Sequence, residues 1–292
     1  MIERVILGDN QFFGINHMSE EKARAQGIRF QENDAIIQVL DAAYAADIRA
    51  FMCTTHDRMS EICDHFRTNA KRYPDYRFYP CMPYAHKYAN AATEYGVIEG
   101  LRRLLPDTGA VNALLKGGAA LAKKDVEALV QLLVDAEMKT FHGLSTPIIF
   151  LQNVVTDLVL GIGMNDAFRY FADHVRSSYG AEPGFITMNL PRLLDALEAA
   201  GIENPTVCAN INKIGFRMCG GTATYERLLS ERRCRAIAMS VFASGAIPPR
   251  EAIEYVASQA GISGIVFGAS TASNILQTKQ LIDELWPQEV AV

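Results

Sequence analysis

A strand, a helix and a second strand are predicted by CRAIAMSVFASG (residues 234–245), PPREAIEYVASQAGI (residues 248–262) and SGIVFGASTASN (residues 263–274). The apolar run from Ile237 to Phe242 does not alternate with polar residues, which is typical of a strand covered on both faces of a parallel sheet. Pro248 and Pro249 then start a helix with an apolar stripe, and Ile265–Phe267 forms the next buried strand. The stretch therefore predicts one repeat of an α/β fold.

The second of these strands is followed by a turn of small and hydroxylated residues, Gly268 to Asn274. We predict that a helix follows the turn, over Ile275–Leu285. Because the first amides of a helix have no partners within it, such a turn is suited to binding an anion.

Outward from this unit, the rest of the chain also alternates strands with helices. Six earlier strands are predicted at Val5–Leu7, Ile48–Cys53, Arg77–Met82, Ile148–Asn153, Gly184–Met188 and Val207–Ile211. Eight strands in such an alternation predict an α/β fold of the (β/α)8 TIM barrel class. An open doubly wound sheet is the alternative, but the first strand is not followed by G-x-G-x-x-G.

We predict that residues 1–292 form a single TIM-barrel domain with a helical insertion, or an extended βα unit, at residues 87–145, after strand three. This region contains three helical segments, at Gly96–Leu105, Ala110–Leu121 and Asp125–Met138, where a plain repeat needs one. The insertion is interpreted as a lid over the site or as a contact in a homo-oligomer.

Composition narrows the class of protein. The chain has 292 residues, 49% of them hydrophobic, and a formal net charge of -5. Without a long basic run, nucleic acid is not an expected partner, and no apolar stretch is long enough to span a membrane. The start MIERVILGDN reads as a strand, and the six cysteines are dispersed. We therefore expect a cytoplasmic protein with reduced thiols and a small-molecule substrate.

The second half resembles the aldo-keto reductase superfamily. The resemblance rests on NLPRLLDAL (residues 189–197), AMSVFASG (residues 238–245) and VFGAS (residues 266–270). It implies a TIM barrel that binds NADP or NAD through the turns after strands seven and eight. The positions that match the family's cofactor residues are Ser240, Phe242, Ser244, Gly245, Gly268, Ser270, Thr271 and Asn274.

The chain departs from that family at the ends of strands two, three and four. The family uses an aspartate, a tyrosine, a lysine and a histidine there, with the tyrosine as proton donor. This sequence has Met52-Cys53, Cys81-Met82 and Gln152-Asn153 at those strand ends. The usual tetrad is therefore missing, and another proton donor is required.

Barrel enzymes carry their reacting groups at the carboxyl ends of the strands. The catalytic candidates there are Asp9, His17, His56, Tyr84 and His86. Histidine is favoured because its ordinary pKa near 6.5 suits proton transfer. The predicted substrate-binding residues are Asn153, Asn189 and Asn212. As alternatives, the histidines could be solvated loop residues, and the asparagines could bond to loop backbone.

Three functions fit these observations. The first is an NAD(P)-dependent oxidoreductase for a small carbonyl or hydroxyl compound, with His56, Tyr84 or His86 as a non-standard proton donor. The second is a lyase, isomerase or hydrolase acting on a phosphorylated or polar small molecule, with a metal as an optional cofactor. The third is a non-catalytic nucleotide-binding protein. The cofactor positions favour the first.

Overall fold

The computed structural model describes residues 2–14, 19–84 and 123–286. Its centre is a closed barrel of parallel strands in the order β1 to β8, in which β8 pairs with β1. The strands are β1 (Val5–Gly8), β2 (Ala50–Thr54), β3 (Arg77–Met82), β4 (Ile148–Leu151), β5 (Glu182–Thr187), β6 (Thr206–Asn210), β7 (Arg235–Met239) and β8 (Ile262–Phe267). The predicted (β/α)8 barrel is confirmed.

Helices in the described ranges surround the barrel or follow its strands. They are α1 (Glu20–Arg29), α2 (Asn33–Ala45), α3 (Met59–Thr68), α4 (Lys123–Met138), α5 (Asn153–Ile162), α6 (Asp166–Tyr179), α7 (Leu190–Ala199), α8 (Gly221–Ser230), α9 (Pro249–Ser258) and α10 (Ala272–Leu285). In the described part of the chain, none of them is long and apolar enough to cross a membrane.

The barrel strands are apolar on both sides because each side packs against a separate core. Inward-facing residues such as Ile6, Tyr79, Phe150 and Ile237 fill the barrel itself. Outward-facing residues from the same strands pack against the helices in a larger cluster. This double burial explains why the strands read as continuous apolar runs in the sequence.

Strand four and the last helix differ from their predicted bounds. β4 ends at Leu151 because Gln152 occupies the N-cap position of α5, where its carbonyl accepts the Thr156 N–H at 2.9 Å, so that Asn153 is helical. α10 begins at Ala272, three residues before Ile275, because the Thr271 hydroxyl accepts the Asn274 N–H and caps the helix. Threonine is a favoured residue type at a helix N-cap. Because small polar residues are also common in turns, the sequence did not show that the helix begins at Ala272.

Helix α1 (Glu20–Arg29) is not among the elements predicted from the sequence. Its sequence, EEKARAQGIR, contains few apolar residues and so gives no clear helical periodicity. Most of the predicted insertion at residues 87–145 lies outside the described residues, including the segments at 96–105 and 110–121. Its last predicted helix corresponds to α4. The insertion and the single-domain organisation remain predictions.

Gly184 in β5 provides a test of packing inside the barrel. A Cβ atom at this position would lie 2.4 Å from two ring carbons of Phe150, which is fully buried. Since overpacking a closed core is costly, Gly184→Ala should lower the free energy of unfolding by about 1–3 kcal/mol in urea denaturation. As a control, Gly161→Ala in α5 meets no atom within 4 Å and should be neutral or stabilising. Equal effects would contradict the packing explanation.

Candidate active site

Asp9 is a buried carboxylate at the carboxyl end of β1. Its side chain is 6% exposed. Its Oδ2 atom accepts two hydrogen bonds from Thr54 at the end of β2, one from the backbone N–H and one from the hydroxyl, each 2.7 Å long. Burial raises the pKa of Asp9, although the bonds from Thr54 act in the opposite direction. The group therefore joins two strand ends and holds a proton more readily than an exposed aspartate.

His56 lies two residues beyond Thr54 and is half-buried. Its ring stacks on Phe13, with centroids 4.1 Å apart and planes 7° from parallel. Nδ1 accepts the backbone N–H of Arg58 at 3.2 Å, and burial lowers the pKa of the imidazole below its usual value. These contacts favour a neutral ring whose proton is on Nε2, where it can be donated to a ligand.

Tyr84 follows β3 and completes a cluster with the other two side chains. Its ring centroid is 5.5 Å from that of His56. Burial raises the pKa of Tyr84, and the negative charges of Asp9 and Asp57 raise it further. The phenol is therefore protonated at neutral pH and can donate a hydrogen bond. The structure thus brings together Asp9, His56 and Tyr84 from the ends of three neighbouring strands.

Below this cluster, the inner wall of the barrel is apolar and rich in sulfur. The residues that form this wall near the carboxyl ends are Met52, Cys81, Ile186, Met239 and Val266. Cys81 is 4% exposed, and burial raises its pKa well above the usual value, with a further contribution from Asp9. Its thiol is therefore protonated and packs as a small hydrophobic group.

The turn after β8 approaches β1 closely. A Cβ on Gly268 would lie 2.4 Å from Oε1 of Gln11. Gln11 is buried, and its Nε2 donates to the Gly8 carbonyl at 2.7 Å. Its Oε1 has no hydrogen-bond partner within the described ranges. The Gln11 amide therefore fills the space beside the Gly268 backbone, where the ends of β1 and β8 meet.

The turn after β7 has an unusual backbone. Ser240 and Ser244 have φ values of 54° and 58°, and Gly245 has 92°. Backbone hydrogen bonds close the turn, including Ala243 N–H to Ser240 O at 2.9 Å and Gly245 N–H to Phe242 O at 2.8 Å. Left-handed conformations at residues other than glycine cost free energy and are concentrated at functional sites. The two predicted cofactor turns thus lie after adjacent strands at one end of the barrel.

The three predicted substrate asparagines have different surroundings. Asn153 is the first residue of α5, and Asn189 caps α7 by accepting the Arg192 N–H at 3.4 Å. Asn212 is buried; its Nδ2 donates to Phe216 O at 2.9 Å, and its Oδ1 accepts Phe216 N–H at 2.8 Å. The bonds of Asn189 and Asn212 match the alternative in which strand-end asparagines order the loops. Substrate binding by these residues remains a prediction.

Two predicted catalytic residues, His17 and His86, lie outside the described residues. Within residues 2–14, 19–84 and 123–286, no group of three or more histidine, cysteine, aspartate or glutamate side chains could hold a metal ion. The metal-assisted alternative therefore gains no support from these residues.

Several residues of the site were not among the predicted ones. Thr54, Gln11 and Phe13 hold or flank the cluster, and their position directly after β1 and β2 is the signal that could have identified them. Asp157 in α5 accepts the Thr187 hydroxyl at 2.5 Å and the Met188 N–H at 3.1 Å. It is the single charged residue in the apolar segment NVVTDLVLGI, which marks it in the sequence.

Comparison with solved structures identifies proteins with the same fold. A Pseudomonas aeruginosa protein assigned to the aldo-keto reductases matches with a TM-score of 0.61 and 12% identity, over 97% of this chain and 91% of the other. The glycerol dehydrogenase of Gluconobacter oxydans matches with a TM-score of 0.55 and 9% identity, over 99% and 94%. The aldose reductase of Schistosoma japonicum matches with a TM-score of 0.53 and 11% identity, over 97% of this chain and 84% of the other.

These identities are low, so the similarity is one of fold. No protein-family model matches the chain, and no match was found among curated proteins. The predicted resemblance to an aldo-keto-reductase-like barrel is confirmed at the level of architecture.

The raised pKa of Asp9 predicts how stability depends on pH. Since the folded protein disfavours the ionised carboxylate, wild type should lose stability as the pH rises from about 4 through that raised pKa. Asp9→Asn has no charge to desolvate. Its unfolding free energy relative to wild type should therefore improve as the pH rises above about 4, by at most about 1.4 kcal/mol per pH unit, and level off once the pH passes the raised pKa of Asp9. Asp57→Asn, at an exposed position, is the control. If the difference in unfolding free energy between Asp9→Asn and wild type did not change with pH, the electrostatic explanation would be refuted.

Proposed function

We propose that this protein is an NAD(P)-dependent oxidoreductase that reduces a small carbonyl compound or oxidises the corresponding hydroxyl compound. The observation that carries the proposal is the pair of His56 and Tyr84, two hydrogen-bond donors whose rings lie 5.5 Å apart at the strand ends where Asp9 is buried. The shared architecture with aldo-keto reductases supports it. The cluster comes from β1 to β3, whereas the turns suited to a cofactor follow β7 and β8.

The residues present fit a dinucleotide at these two turns. The residues that would hold it are Ser240, Phe242, Ser244, Gly245, Gly268, Ser270, Thr271 and Asn274. Beside Gly268, the buried Oε1 of Gln11 lacks a hydrogen-bond partner in the described residues, and the amino terminus of α10, which Thr271 caps, favours a phosphate. When bound, the nicotinamide supplies or accepts a hydride.

Side chains of the protein would donate the proton that the substrate oxygen receives. Nε2–H of His56 and the Tyr84 hydroxyl can both donate to the oxygen of a substrate carbonyl. The raised pKa of Tyr84 means that tyrosinate is scarce at neutral pH, so Tyr84 is a poor base for oxidation of an alcohol. In reduction the Tyr84 hydroxyl would give up a proton that solvent replaces, whereas His56 could do so only from its protonated form, because loss of Nε2–H from the neutral ring would leave an imidazolate. The apolar wall below would exclude water from the reacting carbon.

The cofactor assignment predicts that Ser270→Glu abolishes dinucleotide binding. A carboxylate at the amino-terminal end of α10 would repel the phosphates. Thermal-shift titration with NADH and NADPH measures the effect, because ligand at a hundred times its Kd stabilises by about 2.7 kcal/mol. Ser270→Gln has nearly the same size without the charge and should retain most binding. Full affinity in Ser270→Glu would remove the support for this cofactor site.

The proton-donor assignment predicts the pH profile of carbonyl reduction. Since the pKa of His56 lies below its usual 6.5 and that of Tyr84 above 10, kcat should be level between these values. We expect it to fall only at higher pH, as Tyr84 loses its proton. Tyr84→Phe should lower kcat by about 10²- to 10⁴-fold with a smaller effect on KM.

Tyr179→Phe is the matched control for Tyr84→Phe. Tyr179 ends α6, the helix that leads into the amino-terminal end of β5, and its hydroxyl donates to Asp135 at 2.6 Å. This variant should retain wild-type kcat. If Tyr84→Phe also retains it while His56→Asn does not, His56 is the donor. Full activity in both Tyr84→Phe and His56→Asn would refute the proposed proton donors.

A further inference from the structure

The loop between β6 and α8 is folded by buried asparagines at the carboxyl end of the barrel. Asn210 is the last residue of β6 and is 1% exposed, and its Nδ2 donates to the Arg217 carbonyl at 3.1 Å. Asn212 bonds to both the N–H and the carbonyl of Phe216. The loop is also joined to the end of β5, since the Cys219 N–H donates to Met188 O at 3.4 Å. These bonds fix the backbone on both sides of Arg217.

Arg217 has a strained backbone and an exposed side chain. Its φ of 56° lies in the left-handed region, which arginine adopts at a cost. Its guanidinium lies over the ring of Phe216, with Cζ 5.4 Å from the ring centroid. Glycine would satisfy this backbone without strain, so the loop geometry alone does not explain an arginine here.

The charge of Arg217 is not neutralised by a carboxylate in the described part of the chain. By contrast, Lys213 in the same loop pairs with Glu251 at 2.6 Å. The carboxylates near the barrel mouth are otherwise engaged: Asp9 bonds to Thr54, and Asp157 bonds to Thr187 and Met188. A stacked guanidinium whose donors have no partner among the described residues is well suited to a planar anion, because it can form two parallel hydrogen bonds with the anion.

The position of Arg217 relates it to the candidate active site. In the closed strand order, β6 lies four strands from β2 in either direction, so it is diametrically opposite. Arg217 follows β6, and His56 follows β2. We propose that Arg217 binds an anionic group, carboxylate or phosphate, of the ligand that fills the barrel mouth. The inference rests on the proposed function, in which the barrel mouth binds the substrate. The substrate would then be a carbonyl compound with an acidic group at its other end.

Anion binding can be measured without turnover. In protein labelled with 15N-arginine, the Nε–Hε resonance of Arg217 is assigned by its loss in Arg217→Gln. Titration with succinate and with inorganic phosphate should shift this resonance, and Arg217→Gln should weaken calorimetric binding of the same anions at least tenfold. Lys213→Gln removes one positive charge from the same loop and should leave binding within about twofold, because Glu251 already neutralises that lysine. No shift of the Arg217 resonance, or equal weakening in both variants, would overturn the proposal.

Titration of Arg217→Gln with NADH distinguishes the two sources of the anion. Unchanged NADH affinity with weakened succinate binding supports a substrate carboxylate. Weakened NADH affinity together with weakened phosphate binding supports the diphosphate of the dinucleotide. If wild type does not bind NADH, the proposed oxidoreductase function fails, but the anion titration still tests Arg217 by itself.

Arg217→Gly separates binding from stability. Glycine relieves the left-handed strain, so the melting temperature should stay the same or rise while succinate and phosphate binding falls at least tenfold. A strong fall in melting temperature would identify Arg217 as a structural residue and contradict the proposal.

Discussion

Closure of the parallel barrel is the constraint on which the rest of the structure depends. Because β8 pairs with β1, each strand has hydrogen-bonded neighbours on both edges, and all eight carboxyl ends meet at one rim. Short loops after single strands can then build one site from residues far apart in sequence. Asp9 and Thr54 meet directly because β1 pairs with β2, with Gly8 opposite Met52. The candidate site is thus a product of strand register.

Burial of Asp9 affects the chemistry of its surroundings. Burial raises the pKa of Cys53, Cys81 and Tyr84, and the charge of Asp9, which is poorly screened because Asp9 is itself buried, raises the pKa of each group further. His56 responds to burial in the opposite direction because its protonated form is the charged one. Together these effects keep the thiols, the phenol and the imidazole uncharged. The cluster is therefore a set of neutral hydrogen-bond donors around one acid.

Most of the fold could be predicted from the sequence, because double burial makes barrel strands continuous apolar runs; β3 has the predicted bounds, Arg77–Met82. The rim position of Asp9, His56 and Tyr84 followed from the same strand ends. What could not be predicted depends on three-dimensional contacts. Stacking of His56 on Phe13 and the bond from Asn210 to Arg217 require the folded loops. Helix α1 was missed because its polar sequence carries no apolar period.

The contact between Gly268 and Gln11 has a consequence for how this barrel can evolve. A side chain at residue 268 would collide with the Gln11 amide, and that amide is itself held by the Gly8 carbonyl. A side chain at residue 268 therefore requires the Gln11 amide to move or to be replaced, which couples two positions far apart in sequence. Among homologues, a residue larger than glycine at 268 should be accompanied by a smaller one at 11. The pairing of the first and last strands would then be visible in a sequence alignment as covariation between residues 11 and 268.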